Sequence, residues 1–265
     1  MLIIPGSGPI NRDGNLPQMS TQTYMYRLLA QGLAHAGIAS LRIDKRGMFG
    51  SAAAIVDAND VTIDVYAQDA RDWVRFMAQD FKCIWIAGHS EGGLVALAAA
   101  LDAPENLCGL ILMATPGRPL GQLMQEQLAK APGSENWIDE VGAVGAVIAA
   151  LETVGTTDTS ALPLTLQALF QPGLQNYLRN LFSYDLADLA RRWRGPALII
   201  QGDADLLAEA LPQAESVALP GGTHILKAQL PDRPFATYRD PSLPLHPDLI
   251  RAISGFITAS DRQPD

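Results

Sequence analysis

The stretch CIWIAGHSEGGLVALAAAL, residues 83–101, decides how this chain folds. Its first five residues are almost wholly apolar and include two isoleucines and a tryptophan, which is typical of a buried strand. Its last eleven residues are rich in alanine and leucine and predict a helix. Between them lies GHSEG, residues 88–92, which has the pattern G-x-S-x-G. This pattern is informative where a strand precedes it and a helix follows, and both conditions are met here.

Ser90 is the middle residue of this pattern and the candidate nucleophile. A sharp turn from strand to helix forces the middle residue to a positive φ and holds its hydroxyl out at the N-terminus of the helix. Gly88 and Gly92 allow the strand and the helix to approach closely. We therefore interpret the stretch as a strand, a strained turn and a helix that present Ser90 to a cleft.

Short apolar runs alternate with longer helical stretches along most of the chain. This alternation predicts an α/β fold with a mostly parallel, doubly wound sheet. The runs Ile84–Ala87 and Leu110–Met113 are apolar throughout, as expected for strands covered on both faces. The predicted strands are residues 2–4, 38–43, 83–87, 108–114, 197–201 and 216–219, and the predicted core helices are 21–36, 62–79, 91–101 and 247–259.

One segment, residues 115–195, breaks this alternation because it contains no convincing strand. It is predicted to form helices near residues 120–131, 137–154, 162–170, 174–181 and 186–193. An all-helical insertion between two strands predicts a cap over the carboxyl edge of the sheet, where open α/β sheets bind ligands. We therefore expect an α/β core, residues 1–114 and 196–265, and a helical cap, residues 115–195.

A serine nucleophile needs an adjacent base, and the chain has four histidines. His89 follows the strand next to Ser90, and we expect its side chain to point away from the hydroxyl and to pack or hydrogen bond. His35 lies near the end of an early helix, and His246 precedes the last helix at a capping position. His224 follows the last strand, from which it can reach the carboxyl edge. His224 is therefore the predicted base.

The base needs a carboxylate that orients its ring. Asp203 and Asp205 both follow a predicted strand and leave the sheet at the same edge as Ser90. Asp205 is the preferred candidate because a short turn brings the second acid towards His224, and Asp203 is the alternative. The other aspartate would stabilise the turn. The order Ser90, Asp205, His224 is the one expected in this kind of fold.

Acyl transfer also requires two N–H donors that bind the developing oxyanion. One predicted donor is the backbone N–H of Glu91, directly after the nucleophile. The other should come from the loop PGSGP, residues 5–9, after the first strand. Ser7 is the preferred donor and Gly8 the alternative, since glycines in this loop allow the backbone to approach a substrate closely.

The chain resembles bacterial serine carboxylesterases of the α/β-hydrolase superfamily. The resemblance implies an α/β-hydrolase fold without a metal or cofactor, in which the family's N-terminal antiparallel strands are absent or truncated. It also implies that the loop 12–15 and the turn 44–47 shape the mouth of the site. The preferred interpretation of their charged residues is structural, namely Arg–Asp pairs that hold these loops in place. The matching segments are GSGPINRDGN (6–15), DKRG (44–47) with Ser51, GHSEGG (88–93), QGDAD (201–205) and GGTH (221–224).

Composition excludes several classes of partner. The net charge of −9 would repel the phosphate backbone of nucleic acid and offers no basic attraction to anionic membranes. The longest apolar run, Val141–Leu151, is too short to span a bilayer, and the first residues do not form a signal peptide. We therefore expect a cytoplasmic protein, unless a leader precedes Met1. Cys83 and Cys108 are expected to be buried reduced thiols, with a disulfide as the alternative if their strands are neighbours.

The preferred function is hydrolysis of carboxylic esters with short or medium acyl chains, polyesters included. The partner would then be a small or polymeric ester. The alternative keeps the triad and changes the substrate to a thioester or a lactone, whereas the PGSGP loop disfavours peptides. A non-catalytic binding protein on the same scaffold is disfavoured because Ser90, Asp205 and His224 fill all three triad positions.

Overall fold

The computed structural model describes residues 1–130, 138–160, 162–200, 204–233 and 235–260. Its centre is a six-stranded sheet in which every neighbouring pair of strands is parallel. The α/β prediction is therefore confirmed. The strands lie in the order β4-β1-β5-β6-β7-β8 and are β1 Leu2–Ile4, β4 Leu41–Arg42, β5 Ile84–His89, β6 Leu107–Met113, β7 Ala197–Ile200 and β8 Glu215–Val217.

Alternate residues of the strands pack on opposite faces of this sheet, as the period of two requires. On β5, Ile84 and Ile86 join one apolar cluster, whereas Trp85 and Ala87 join the other. Helices α2 (Ile63–Met77) and α3 (Glu91–Ala99) cover the first face, and α1 (Met25–His35) and α11 (Leu249–Ser260) cover the second. Both faces are therefore buried, which explains why the strands read as continuous apolar runs.

Helix α2 begins as its sequence indicates. The Thr62 hydroxyl accepts a hydrogen bond of 3.2 Å from the backbone N–H of Val65, a capping interaction that fixes the first turn. Six of its residues are buried, and they recur at steps of three and four. The helix predicted at residues 62–79 is therefore confirmed, with its end at Met77.

A small antiparallel hairpin precedes α1. Its strands are β2 (Asn15–Leu16) and β3 (Thr21–Gln22), joined through a 3₁₀ turn at Pro17–Met19. The expectation of a helix from residue 21 was therefore wrong at its start, because residues 21–22 pair with β2 and the helix begins only at Met25. The strand expected at 38–43 is likewise shorter, since only Leu41–Arg42 pair with β1.

The segment between β6 and β7 forms helices and no strand in the part of the chain that the structure describes. Its apolar side chains, among them Leu178 and Phe182, belong to the same cluster as the face of α2 and α3. The insertion is therefore fastened to the core by shared apolar burial. Its role as a cap stays a prediction. Its helices are α4 Leu120–Ala129, α5 Ile138–Thr153, α6 Leu164–Gln167, α7 Pro172–Phe182 and α8 Leu186–Arg192.

Cys83 and Cys108 form a disulfide, with their Cα atoms 5.5 Å apart. The expectation of two buried, reduced thiols was wrong, because Cys83 directly precedes β5, Cys108 is the second residue of β6, and these two strands turn out to be neighbours. Cys83 is also exposed and Cys108 only partly buried. Two short helices complete the described chain, α9 (Ala204–Ala210) and α10 (Ala236–Arg239). None of the helices in the described ranges is long and apolar enough to cross a membrane.

Candidate active site

Ser90 lies at the turn between β5 and α3 with φ 54° and ψ −121°. This backbone conformation is costly for a residue with a side chain and persists only where the surroundings enforce it. The surroundings do so here. A Cβ on Gly88 would lie 2.2 Å from the Gly92 carbonyl oxygen, and one on Gly92 would lie 2.4 Å from the Ile4 carbonyl oxygen. The glycines therefore permit the tight strand–helix contact that holds Ser90 in place.

Ser90 opens onto a cavity of about 560 Å³ at the carboxyl edge of the sheet. Such a volume is within the range of small-molecule sites. Its described lining has no Asp, Glu, Lys or Arg side chain. One wall comes from the β2–β3 hairpin and the residues around it, and the insertion contributes Leu123 and Gln127 of α4. Apolar lining residues include Ile10, Leu16, Met19, Met25 and Ile225.

His224 follows β8 and lines the same cavity as Ser90. Burial lowers the pKa of its ring below the ordinary value of 6.5, so the ring is neutral and able to accept a proton at neutral pH. The Ser90 hydroxyl and the His224 ring, both described, are not directly hydrogen bonded. Catalytic hydrogen bonds of this type often tighten only when substrate is bound.

The two candidate acids follow β7 in the sequence. Asp205 is the second residue of α9, and its side chain is not described. Asp203 lies outside the described residues. The choice between them as the orienting acid therefore stays a prediction, with the backbone of Asp205 at the edge from which Ser90 and His224 also project.

The loop after β1 lies beside Ser90. Gly6 and Ser7 line the cavity together with Ser90, and a Cβ on Gly6 would lie 3.2 Å from the Ser90 Cβ. The N–H of Gly6 donates to the Tyr26 hydroxyl at 2.9 Å. Gly6 is therefore held close to the nucleophile. Ser7 comes next on the cavity wall, whereas Gly8 is not among the lining residues. The choice of Ser7 as an oxyanion donor stays a prediction.

The other histidines have structural contacts. His35 Nδ1 lies 2.8 Å from the Gln31 carbonyl oxygen at an exposed helix end. His246 is buried, with Nε2 3.1 Å from the Pro220 carbonyl oxygen, and its Nδ1 accepts from the Asp248 N–H just before α11. Both agree with the roles predicted for them. Among the described residues, no cluster of His, Cys, Asp and Glu could hold a metal ion.

Known proteins share this architecture. A family profile described as serine aminopeptidase, S33, matches residues 19–135. Esterase EstD of Thermotoga maritima is 25% identical over 208 residues, which cover 77% of this chain and 46% of that protein. A lipase-esterase related protein of Clostridium acetobutylicum, a solved structure with 15% sequence identity, has a TM-score of 0.55 over 97% of this chain and 92% of its own. The chain spans about half the length of the curated relatives it matches.

The chain has the α/β-hydrolase fold. Proteins of different activity share this fold. A proline iminopeptidase of Mycobacterium smegmatis, with 14% sequence identity, has a TM-score of 0.55 over 98% of this chain and 89% of its own. Likeness at this level of identity establishes the fold alone, because one scaffold hosts many reactions.

The arginines near the mouth of the cavity hold the surrounding loops in place through ion pairs with aspartates. Arg12 forms an ion pair with Asp44 through Nε at 2.9 Å, and the Arg12 backbone N–H donates to the same carboxylate at 2.7 Å. Arg42 pairs with Asp13. This is the preferred interpretation from the sequence. The hydrogen bonds from Arg12 and the Gly50 N–H hold the pKa of Asp44 below its ordinary value, although burial acts in the opposite direction.

Two buried groups of the candidate site, Tyr26 and Lys45, were not predicted from the sequence. Both are almost fully buried. The Lys45 ammonium contacts Gly6 and Glu91, and the Tyr26 hydroxyl contacts Gly6 and His89. A signal was available for Lys45, because it lies in the DKRG segment of the resemblance while Glu91 carries the opposite charge beside the nucleophile. No sequence signal pointed to Tyr26, because its hydrogen-bond partners Gly6 and His89 are distant from it in the sequence.

Proposed function

We propose that this chain is a serine hydrolase of carboxylic esters that works through an acyl-enzyme. The observation that carries the proposal is that Ser90, strained at φ 54° between β5 and α3, shares one cavity with His224. A serine in this turn has its hydroxyl at a helix N-terminus, and a neutral imidazole nearby can take its proton.

The reaction follows from the chemistry of these groups. The Ser90 Oγ attacks the ester carbonyl carbon while His224 takes the hydroxyl proton. The carbonyl oxygen becomes an oxyanion, which accepts hydrogen bonds from the backbone N–H groups of Glu91 and Ser7. His224 then returns the proton to the departing alcohol, and the acyl group remains on Ser90. His224 then deprotonates a water molecule, whose oxygen attacks the acyl carbon. The bond from that carbon to Ser90 Oγ breaks, His224 returns the proton to Oγ, and the acid leaves.

Asp205 is the proposed orienting acid. Its carboxylate would hold the ring of His224 in the tautomer that leaves the other nitrogen free to accept the Ser90 proton, and it would stabilise the imidazolium. The position of Asp205 at the start of α9, after β7, supports this role because the carboxyl ends of parallel strands share one edge.

The lining of the cavity favours the binding of a neutral, largely apolar substrate. Its described walls carry no Asp, Glu, Lys or Arg, and most of their exposed area is apolar, with isoleucine, leucine and methionine among the contributors. A charged acyl group would lose its hydration there without gaining a partner. Esters with short or medium acyl chains therefore fit best, and a chain end of a polyester is also suited. Residues 115–195 would act as the cap, with Leu123 and Gln127 of α4 facing the substrate.

A panel of p-nitrophenyl esters of rising chain length, assayed beside acyl-CoA and a lactone, tests the proposal. We expect turnover of the esters, and we expect Ser90→Ala and His224→Ala each to lose on the order of a million-fold in kcat. Ser160→Ala, in the loop before α6, is the matched control and should retain activity. Strong preference for the acyl-CoA or the lactone, or equal ester turnover by Ser90→Ala, would overturn the proposal.

A further inference from the structure

A fully buried ion pair lies directly behind the nucleophile. The Lys45 Nζ donates to Glu91 Oε1 at 2.9 Å, and the two side chains are 2% and 1% exposed. Glu91 is the residue immediately after Ser90, and it lies 46 positions from Lys45 in the sequence. Removing two charges from water is costly, and a well-packed apolar pair at such a position is often equally stable. The ion pair therefore calls for an explanation other than stability.

The remaining hydrogen-bonding capacity of the pair is directed at specific partners. Lys45 Nζ also donates to the Gly6 carbonyl oxygen at 2.7 Å and lies 5.1 Å from the centre of the Tyr66 ring. The Tyr177 hydroxyl donates to Glu91 Oε2. Burial alone would raise the pKa of Glu91, but the Lys45 ammonium and the hydrogen bonds from Lys45, Tyr177 and Ser7 hold it below its ordinary value. Glu91 is therefore an ionised acceptor.

The bond from Lys45 to Gly6 fixes the direction of the next peptide N–H. The peptide between Gly6 and Ser7 is trans, so its carbonyl and its N–H point in opposite directions. With the Gly6 carbonyl held towards the buried Lys45, the Ser7 N–H is turned to the opposite side. Ser7 lines the cavity, so we expect its N–H, directed away from Lys45, to face the place where an oxyanion would form.

The same ammonium also restrains the second donor. Glu91 contributes its backbone N–H to the proposed oxyanion hole, while its carboxylate is tied to Lys45. Lys45 is thus bonded to both segments that supply the donors. Tyr177 lies on α7 of the insertion, so its bond to Glu91 connects the insertion to the residue next to the nucleophile.

We infer that Lys45, the Glu91 carboxylate and Tyr177 are positioning residues that hold the two N–H donors of the oxyanion hole at a fixed separation. This inference rests on the proposed function. It assigns the buried ion pair a role in binding the transition state and not the ground state. Loss of the network should lower kcat and leave KM nearly unchanged.

Two variants test this role, and each is measured per active site. Tyr177→Phe removes one hydroxyl, and the double variant Lys45→Met with Glu91→Gln removes the charges without leaving one of them unpaired. Titration with a fluorophosphonate counts the competent sites. The readouts are kcat and KM for a p-nitrophenyl ester and the inhibition constant of a trifluoromethyl ketone, whose adduct with Ser90 carries an oxyanion.

We expect kcat per titrated site to fall about 10-fold in Tyr177→Phe and about 100-fold in the double variant, with KM changed by less than about 2-fold. The trifluoromethyl ketone should bind more weakly by the same factors. The matched control is Tyr184→Phe, because the Tyr184 hydroxyl donates to Asp64 Oδ1 at 2.5 Å and so joins the insertion to α2 away from Ser90. Tyr184→Phe should keep the wild-type kcat per titrated site and the wild-type affinity for the trifluoromethyl ketone.

Several outcomes would overturn the inference. One is a loss of kcat without weaker binding of the trifluoromethyl ketone, and another is a loss that disappears once activity is divided by titrated sites. An equal effect of Tyr184→Phe would assign Tyr177 a merely structural role. Failure of the wild-type chain to react with the fluorophosphonate would instead overturn the proposed function at its first step, and the inference with it.

Discussion

The Nε2 of His89 lies 2.8 Å from the carbonyl oxygen of His224. A carbonyl oxygen only accepts, so Nε2 must carry the hydrogen and Nδ1 must be the acceptor. Nδ1 accepts from the Tyr26 hydroxyl at 2.9 Å, and the oxygen of that hydroxyl accepts from the Gly6 N–H. The residue before the nucleophile thus links the loop of the proposed base to the loop of the proposed oxyanion hole.

This arrangement requires His89 to be neutral, which predicts a pH dependence of stability. Burial, with a further effect of His224, lowers the pKa of His89 from 6.5 to about 3. The folded state therefore binds a proton less readily than the unfolded state, and stability is lost as the pH falls below 6.5. Between pH 6.5 and 4.5 the loss from this group should be roughly 2–3 kcal/mol. Urea unfolding at several pH values measures it.

The control for that experiment is His89→Gln, whose amide can still donate to the His224 carbonyl. It should be less stable than the wild type at pH 7 but should lose less stability on acidification. Parallel stability curves for the two proteins would show that His89 is not the group that titrates.

The pH dependence of catalysis should follow His224. Because burial lowers its pKa below 6.5, the neutral form that acts as a base persists into mildly acidic solution. We expect kcat/KM for a neutral ester to rise with pH through a midpoint below 6.5 and then to stay level through pH 8. The profile is measured with a p-nitrophenyl ester between pH 4.5 and 8. A midpoint clearly above 6.5 would contradict this assignment.

The choice between the two aspartates can be made by paired substitution. We expect Asp205→Asn to lower kcat roughly ten-thousand-fold, because the amide favours the wrong tautomer of His224. Asp203→Asn should have a far smaller effect, limited to weakening a turn. Steady-state kinetics on both variants, with the folded fraction checked by circular dichroism, separates them. A larger loss in Asp203→Asn would reverse the assignment.

The strained turn predicts a steric effect at Gly88. An added methyl group would lie 2.2 Å from the Gly92 carbonyl oxygen, so the strand and the helix would have to separate. We expect Gly88→Ala to cost several kcal/mol, on the order of 3 or more, in the free energy of unfolding. Gly255→Ala on α11 is the control, since its methyl group would meet nothing within 4 Å. It should be neutral or stabilising by about 0.5–1 kcal/mol. Equal stability of the two variants would refute the steric argument.

Features with local causes were predictable from the sequence. Three such features depend only on residues within one turn or one strand. They are the turn at Ser90, the buried strands β5 and β6 at the sheet centre, and the start of α2 at Thr62. Their periodicity, glycines and caps therefore carry the necessary information. The choice of His224 followed from the order of elements, and the structure brings it to the cavity of Ser90.

Features with distant causes were not predictable. The β2–β3 hairpin has only two residues in each strand, too few for a recognisable pattern, yet it supplies a wall of the cavity. The disulfide between Cys83 and Cys108 depends on which strands become neighbours. The bond from Lys45 to Glu91 joins segments 46 residues apart. Such contacts are set by tertiary pairing, which local propensity does not encode.

If Ser90 is the nucleophile, a reagent that modifies activated serines should form its covalent bond at Ser90. The chain is incubated with a fluorophosphonate, digested and mapped by mass spectrometry, with His224→Ala as a parallel sample. We expect one adduct per chain, on the peptide that contains Ser90, and strongly slowed labelling in His224→Ala. An unmodified Ser90 peptide, or an adduct on another serine at equal rate, would contradict the assignment of Ser90 as the nucleophile.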